Sequence, residues 1–401
     1  MSITRLILTA KALRGFGDGF TALLLPLYLT GLGLTLFQVG LVTTAALLGS
    51  AALTLAVGLA GHRIGARTLL LASCGLMLAT GVAFSQAQAF WPLLIVAFVG
   101  TLNPSNGDVS VFVPLEQALL ADAGAAEART QRFAFYNVAG AGAAALGSLS
   151  VGLADPLGAA LGISRLAVIQ GAFVLYGVIG IAAFLVLRLL PAKPPTDATP
   201  ARSLGPSRGT VYRLAALFSL DSFGGGFLVV SLLALWLFHR FDLSLAAAGA
   251  FFFWTALLGA ASQFAAVWLA RRIGLINTMV FTHIPANLCM MGLAFAPNLA
   301  VAMGLLTVRA LLSNMDVPAR TSYVMAVVTP AERAAAAGVT NVPRSLAAAL
   351  SPALAGWLYG ASVFAWPLVI GGGLKVIYDL LLLVQFRRVK PPEEAGPLNS
   401  P

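Results

Sequence analysis

Pro191–Arg208 reads PAKPPTDATPARSLGPSR. The stretch is rich in proline, serine and threonine and has no apolar face, which is the composition of an extended connection rather than a packed element. Six apolar stretches precede it and six follow, at 9–31, 37–60, 68–86, 91–113, 132–153, 165–187, 213–238, 244–269, 275–296, 299–320, 334–359 and 363–386. A helix that crosses a bilayer needs about 20 mostly apolar residues, so each stretch is a candidate span.

The two sets of six repeat each other. Ser105-Asn106-Gly107-Asp108-Val109 in the fourth span matches Ser313-Asn314-Met315-Asp316-Val317 in the tenth. NVAGAGAAALGSLSVG from Asn137 to Gly152 matches NVPRSLAAALSPALAG from Asn341 to Gly356. Arg63-Ile64-Gly65 matches Arg272-Ile273-Gly274, and Gly15-Phe16-Gly17-Asp18-Gly19-Phe20 matches Ser222-Phe223-Gly224-Gly225-Gly226-Phe227. The separation between matched positions stays between 204 and 209 residues. Ordered matches at one period are the signature of a duplication. Halves that begin on the same side of the membrane predict parallel six-helix repeats about an axis along the membrane normal. The expected organisation is an N-terminal half over 1–190, a cytoplasmic linker over 191–212, a C-terminal half over 213–387 and a cytoplasmic tail over 388–401.

Composition agrees. The 401 residues are 59% hydrophobic and only 9% charged, and mean hydropathy is +0.91. Soluble domains carry about 25% charged residues. Barrel strands need only about 9–11 residues, so the longer segments here predict helices. The net charge of +10 does not point to nucleic acid, because its placement is topological. Arg63, Arg67, Arg129, Arg188, Arg271, Arg272, Arg333, Arg387 and Arg388 fall in alternate loops, whereas the opposite loops hold only Arg165 and Arg240. Positive loops stay inside, which predicts a multi-pass protein of the inner (plasma) membrane with both termini cytoplasmic. Trp91, Trp236 and Trp366 then fall at the outer interface. Arg14 and Asp18 interrupt the first apolar stretch, so it is expected to remain as a helix rather than be cleaved as a signal. Cys74 and Cys289 lie inside spans without a C-x-x-C partner, and neither a disulfide nor a metal site is expected.

The loop after the second span reads Gly58-Leu59-Ala60-Gly61-His62-Arg63-Ile64-Gly65-Ala66-Arg67. It is similar to the G-x-x-x-D-R-x-G-R-R signature of the major facilitator superfamily. Gly58, Arg63, Gly65 and Arg67 match, while His62 stands for the usual acid and Ala66 for the usual basic residue. With the six-plus-six layout, the resemblance extends over nearly the whole chain. It implies an all-α membrane protein with twelve transmembrane helices in two pseudo-symmetric halves around a cavity lined by spans one, four, seven and ten, and it makes Arg63, Gly65 and Arg67 a gating loop. The drug:proton antiporters of this superfamily usually carry an Arg before Gln-Gly in span four and a Gly-Pro-rich run in span five. Here span four reads Leu102-Asn103-Pro104-Ser105-Asn106-Gly107 and span five has no proline.

A charge at bilayer depth costs at least ~2.5–3.5 kcal/mol, so such charges mark function or pair with one another. They are Arg14 and Asp18 in span one, Asp108 in span four, Asp221 in span seven, Arg309 and Asp316 in span ten, Arg344 in span eleven, and Lys375 and Asp379 in span twelve. Asp108 and Asp221 have no basic partner within a turn of their own helix, which is the setting of a proton carrier. Arg14 occupies the place of Asp221 in the repeat, and Arg309 or Arg344 is within reach across the bundle. Arg309 and Asp316 are seven residues apart, nearly two full turns, and are expected on one face. Lys375 and Asp379 are one turn apart and read as a structural clip on a peripheral helix. Glu116 and Asp122 read as gate or solvated charges, and His283 as a packing histidine. Asn103-Pro104 should break span four and turn Asn106 toward the cavity.

No phosphate loop, H-E-x-x-H or G-x-S-x-G motif is present, so neither ATP-driven transport nor an enzyme is expected, and no cofactor. The expected function is secondary transport by a monomer. The leading form is proton-coupled efflux of a small lipophilic or cationic compound, in which substrate, protons and membrane lipids are the partners. The alternatives are uptake or exchange of a small anionic metabolite held by Arg309 and Arg344, and a non-transporting sensor or lipid-handling protein on the same scaffold.

Overall fold

The computed structural model describes residues 2–60, 64–104, 110–121, 123, 129–191, 204–329, 332–387 and 389. Among these the chain forms helices and no strand. In order they are α1 (Ile3–Gly31), α2 (Leu36–Ala60), α3 (Ala66–Gln86), α4 (Phe90–Val99), α5 (Phe112–Ala121), α6 (Arg129–Ser150), α7 (Ala154–Leu161), α8 (Arg165–Leu187), α9 (Arg208–Gly226), α10 (Val230–Phe241), α11 (Leu245–Ile273), α12 (Leu275–Leu293), α13 (Leu299–Ser313), α14 (Asp316–Ala326), α15 (Arg333–Ala361) and α16 (Trp366–Phe386).

All twelve expected spans are present. Eight, at spans two, three, five to eight, ten and twelve, are long and apolar enough to cross a bilayer by length and composition. The others are α1, whose apolar run is interrupted by Arg14 and Asp18, the divided span four, α12 and α15. Polar caps close several starts. The Ser2 hydroxyl accepts from Arg5 N, the Ser164 hydroxyl from Ala167 N, and the Asn298 side chain from Val301 N. Val174, Val178, Ile181 and Leu185 form an exposed stripe along α8, while Phe173, Tyr176, Gly177 and Gly180 are buried on its other side. An apolar outward stripe of this kind suits lipid, not water.

Spans four, seven and ten are each two helices. In span four α4 ends at Val99, residues 100–104 are not helical, and α5 begins at Phe112. Tyr176 of α8 donates to the carbonyl of Thr101 at 3.0 Å, which satisfies backbone that the break frees. Span seven divides at Phe227–Val229, after the glycine run 224–226, and span ten divides at Asn314–Met315.

Contacts group the chain into two compact units. Unit 1 comprises Met1–Ala198, Val229–Leu257 and Pro352–Ala361; unit 2 comprises Thr199–Leu228, Leu258–Ser351 and Ser362–Pro401. In unit 1, α1 packs on α6, where Gly19 lies against the carbonyl of Ala144 so closely that no side chain fits. In unit 2, Gly226 at the end of α9 meets Ala348 of α15 in the same way. These are corresponding positions of the repeat, so the duplication is one of packing as well as of sequence. The core of unit 1 gathers Leu6, Ile7, Leu70, Phe112 and Tyr136. That of unit 2 gathers Phe218, Met279, Tyr323, Tyr378 and Phe386.

Candidate functional site

Each unit buries a charge cluster. In unit 1, Arg14 of α1 meets Glu116 of α5, with Nη2 2.5 Å from Oε1. Tyr136 of α6 donates its hydroxyl to Glu116 Oε2 at 2.7 Å. The Arg14 guanidinium stacks on Phe112 at 3.8 Å, and Lys11 lies over the Tyr136 ring. Glu116 is fully buried, which corrects its reading as a gate or solvated charge. Burial of that carboxylate demands a cation, and Arg14 supplies it from the neighbouring helix. Asp18, one turn along α1, is half-buried and forms no ion pair among the described residues. Asn103 is buried beside the break in span four.

In unit 2, Asp221 of α9 is the node. Its Oδ1 lies 2.6 Å from Lys375 Nζ of α16, and its Oδ2 3.2 Å from Arg320 Nη1 of α14. Arg320 also reaches Asp316, one turn back, at 3.4 Å. His283 of α12 stands between two acids. Its Nδ1 is 2.9 Å from Asp379 Oδ1, and its Nε2 is 3.8 Å from Asp221 Oδ1. Asn287 donates to Asp379 Oδ2 at 3.3 Å. Arg344 of α15 donates from Nε to the Ser222 hydroxyl at 2.9 Å. All three carboxylates, His283, Arg320 and Lys375 are buried. Charges withdrawn from water in this way are tolerable only when paired and hydrogen-bonded.

Several expectations are thereby corrected. Asp221 is not an unpaired acid: its cations come from α14 and α16, 99 and 154 residues away, beyond the reach of any same-helix rule. Lys375 and Asp379 are not a clip with each other; the ammonium turns to Asp221 and the carboxylate to His283. His283 is a link between acids rather than a packing histidine. Arg309 and Asp316 lie on successive helices, α13 and α14, divided at Asn314–Met315. Arg309 is half-buried and forms no ion pair among the described residues. Of the loop residues, Gly65 precedes α3, and Arg67 donates to the carbonyl of Arg188 at the end of α8, 2.7 Å away. That satisfies a C-terminal carbonyl with a cation. Asp108, Asn106, Arg63 and Asp122 lie outside the described residues.

The repeat relates the two clusters. Arg14 corresponds to Asp221. Each pairs with an ion of the fourth span of its own half, Glu116 in one and Arg320 in the other.

Twelve apolar helices in two related halves, with ionisable groups buried inside each, define a polytopic membrane transporter. A family model described as Major Facilitator Superfamily matches residues 7–315, and the chain belongs to that superfamily. An uncharacterized membrane protein of Saccharomyces cerevisiae is 24% identical over 418 residues, covering 95% of this chain and 93% of the yeast protein. Among solved structures, the nucleoside transporter NupG superposes with a TM-score of 0.76 at 13% identity, covering 96% of this chain and 100% of that one. A bacterial homologue of the human lysosomal transporter Spinster, inward-facing and occupied, superposes with a TM-score of 0.73 at 17% identity, covering 95% and 96%. At such identities the likeness concerns the fold.

Proposed function

We propose that this chain is a proton-coupled secondary transporter that exports a small lipophilic or cationic compound by alternating access. The observation that carries the reading is the unit 2 cluster, in which three buried acids, two buried fixed cations and a histidine tie α9, α12, α14 and α16 together. Structural ion pairs need no histidine between them. A group that changes charge near neutral pH beside such a network is what proton coupling requires. Asp18 supports a cationic substrate, since it is a carboxylate on a cavity-type span without an ion-pair partner among the described residues. An open groove of about 390 Å³ in unit 2, lined by Ala266, Val267, Ala270, Leu275, Pro318 and Ala319 together with Arg271 and Ser322, supports a compound with an apolar body. Arg309, likewise without an ion pair among the described residues, favours the second reading of an anionic metabolite.

Both termini and the linker face the cytoplasm in this proposal, the protein works as a monomer in the plasma membrane, and the halves 1–190 and 213–387 rock about a central site. Flux of radiolabelled cationic and anionic compounds into proteoliposomes tests it. Export of a cation that Asp18→Asn abolishes supports the leading reading. Transport of anions alone, lost in Arg309→Ala, favours the second, and no flux of any compound favours a sensor or lipid-handling role. Rapid labelling of a cysteine at position 199 from outside intact cells would overturn the topology.

A further inference from the structure

We propose that the His283–Asp379 pair, on α12 and α16, is the site that binds and releases the transported proton, and that the neighbouring Asp221 node stays ionised throughout. The inference rests on the proton-coupled reading above and names the groups that carry it.

The fixed cations of the cluster are committed elsewhere. Asp221 has Lys375 on one oxygen and Arg320 on the other, at 2.6 and 3.2 Å. Neutralising that carboxylate would leave the buried Lys375 without its counter-charge and Arg320 with Asp316 alone. Asp379 is in the opposite position. It is 0% exposed, and among the described residues its oxygens meet the imidazole of His283 and the amide of Asn287. No lysine or arginine comes within ion-pair distance of it among the described residues; Lys375, a turn back on α16, has its ammonium on Asp221. A fully buried carboxylate whose partners are an amide and an imidazole is stable only if a proton accompanies it. That proton sits on the imidazole or on the carboxyl, and it belongs to the pair.

The pair is coupled to the node by geometry. Nε2 of His283 is 3.8 Å from Asp221 Oδ1, the oxygen that Lys375 holds. An imidazolium there competes with Lys375 for the same oxygen and loosens the tie between α9 and α16; departure of the proton restores it. The other groups around the pair do not supply the missing charge. Asp316 and Arg320 of α14 pair with each other, Arg344 of α15 is half-buried on Ser222, Tyr378 of α16 has a buried hydroxyl with no partner, and Arg309 of α13 lies beside Cys289 of α12. The step makes and breaks no bond except that to the proton, which arrives from water on one side and leaves to water on the other.

Two measurements test this on the full chain. Purified in detergent, the wild type should take up one more proton per molecule between mildly alkaline and mildly acidic pH than the Asp379→Asn/His283→Gln variant. Equal uptake would overturn the proposal. In proteoliposomes the double variant should keep substrate exchange at equal concentrations on both sides but lose accumulation driven by a pH gradient. Retained exchange shows that the variant folds, and retained pH-driven accumulation would overturn the assignment. If the extra proton is found but the wild type shows no pH-driven transport, the proton site stands and the coupled function fails.

Discussion

Replacing Arg14 with methionine isolates the energetics of the unit 1 cluster. The substitution keeps an apolar side chain against Phe112 but takes from Glu116, fully buried, its ion-pair partner, while the Tyr136 hydroxyl remains as a donor. Breaking a buried ion pair by removing one partner costs about 3–5 kcal/mol. Loss of the stacked cation adds about 0.5–2 kcal/mol where the site is desolvated. Even the lower bound of 3 kcal/mol is roughly a hundredfold in the folding equilibrium, at about 1.4 kcal/mol per factor of ten. The double variant Arg14→Met/Glu116→Met removes both charges, and such replacements range from neutral to stabilising by about 1–4 kcal/mol. It should therefore recover most of what the single variant loses. Reversible unfolding in mixed micelles of mild and denaturing detergent, run as a double-mutant cycle, measures the coupling directly. A loss below about 1 kcal/mol for Arg14→Met would place the pair in the class of solvated surface bridges and refute the reasoning.

In transport assays, Lys375→Ala should impair activity at least as much as Arg309→Ala, since of these two Lys375 is the one that holds Asp221; the reverse order would move the working cation to α13. Gly19→Val forces a side chain onto the Ala144 carbonyl and should destabilise the protein by about 1–3 kcal/mol in the same detergent titration, the usual cost of overpacking. Glu332, between spans ten and eleven, accepts from Ser207 Oγ and Thr329 Oγ1, each at 2.7 Å, and from Gly205 N. These donors hold its carboxyl down at about 2. A carboxyl lowered on folding contributes stability that is complete above its unfolded value, about 4.3, and fades as pH falls toward 2. The stability difference between the wild type and Glu332→Gln should be constant near neutrality and shrink below about pH 4. A difference that grows on acidification would show that the carboxylate is not the bonded form.

Span number, the duplication and the break at Asn103-Pro104 were legible because each has a local signal: a run of apolar residues, a fixed separation, a proline. The break of span ten had no such mark. Asn314-Met315 is unremarkable in sequence. Ion-pair partners were the least legible. Same-helix spacing accounts for i,i+4 neighbours such as Asp316–Arg320. It has no access to Arg14–Glu116, separated by 102 residues, or to Asp221–Lys375. Arg14 standing at the place of Asp221 in the repeat was the nearest sequence signal.

The central claim is that translocation is coupled to protons through the unit 2 cluster. Its most direct test is accumulation of a transported substrate against its own gradient in sealed proteoliposomes, driven only by an imposed pH difference and abolished by collapsing that difference with a protonophore. The account predicts uphill movement in the wild type that is lost in Asp379→Asn/His283→Gln while exchange persists. Substrate that merely equilibrates in the wild type, at every imposed pH difference, would contradict it.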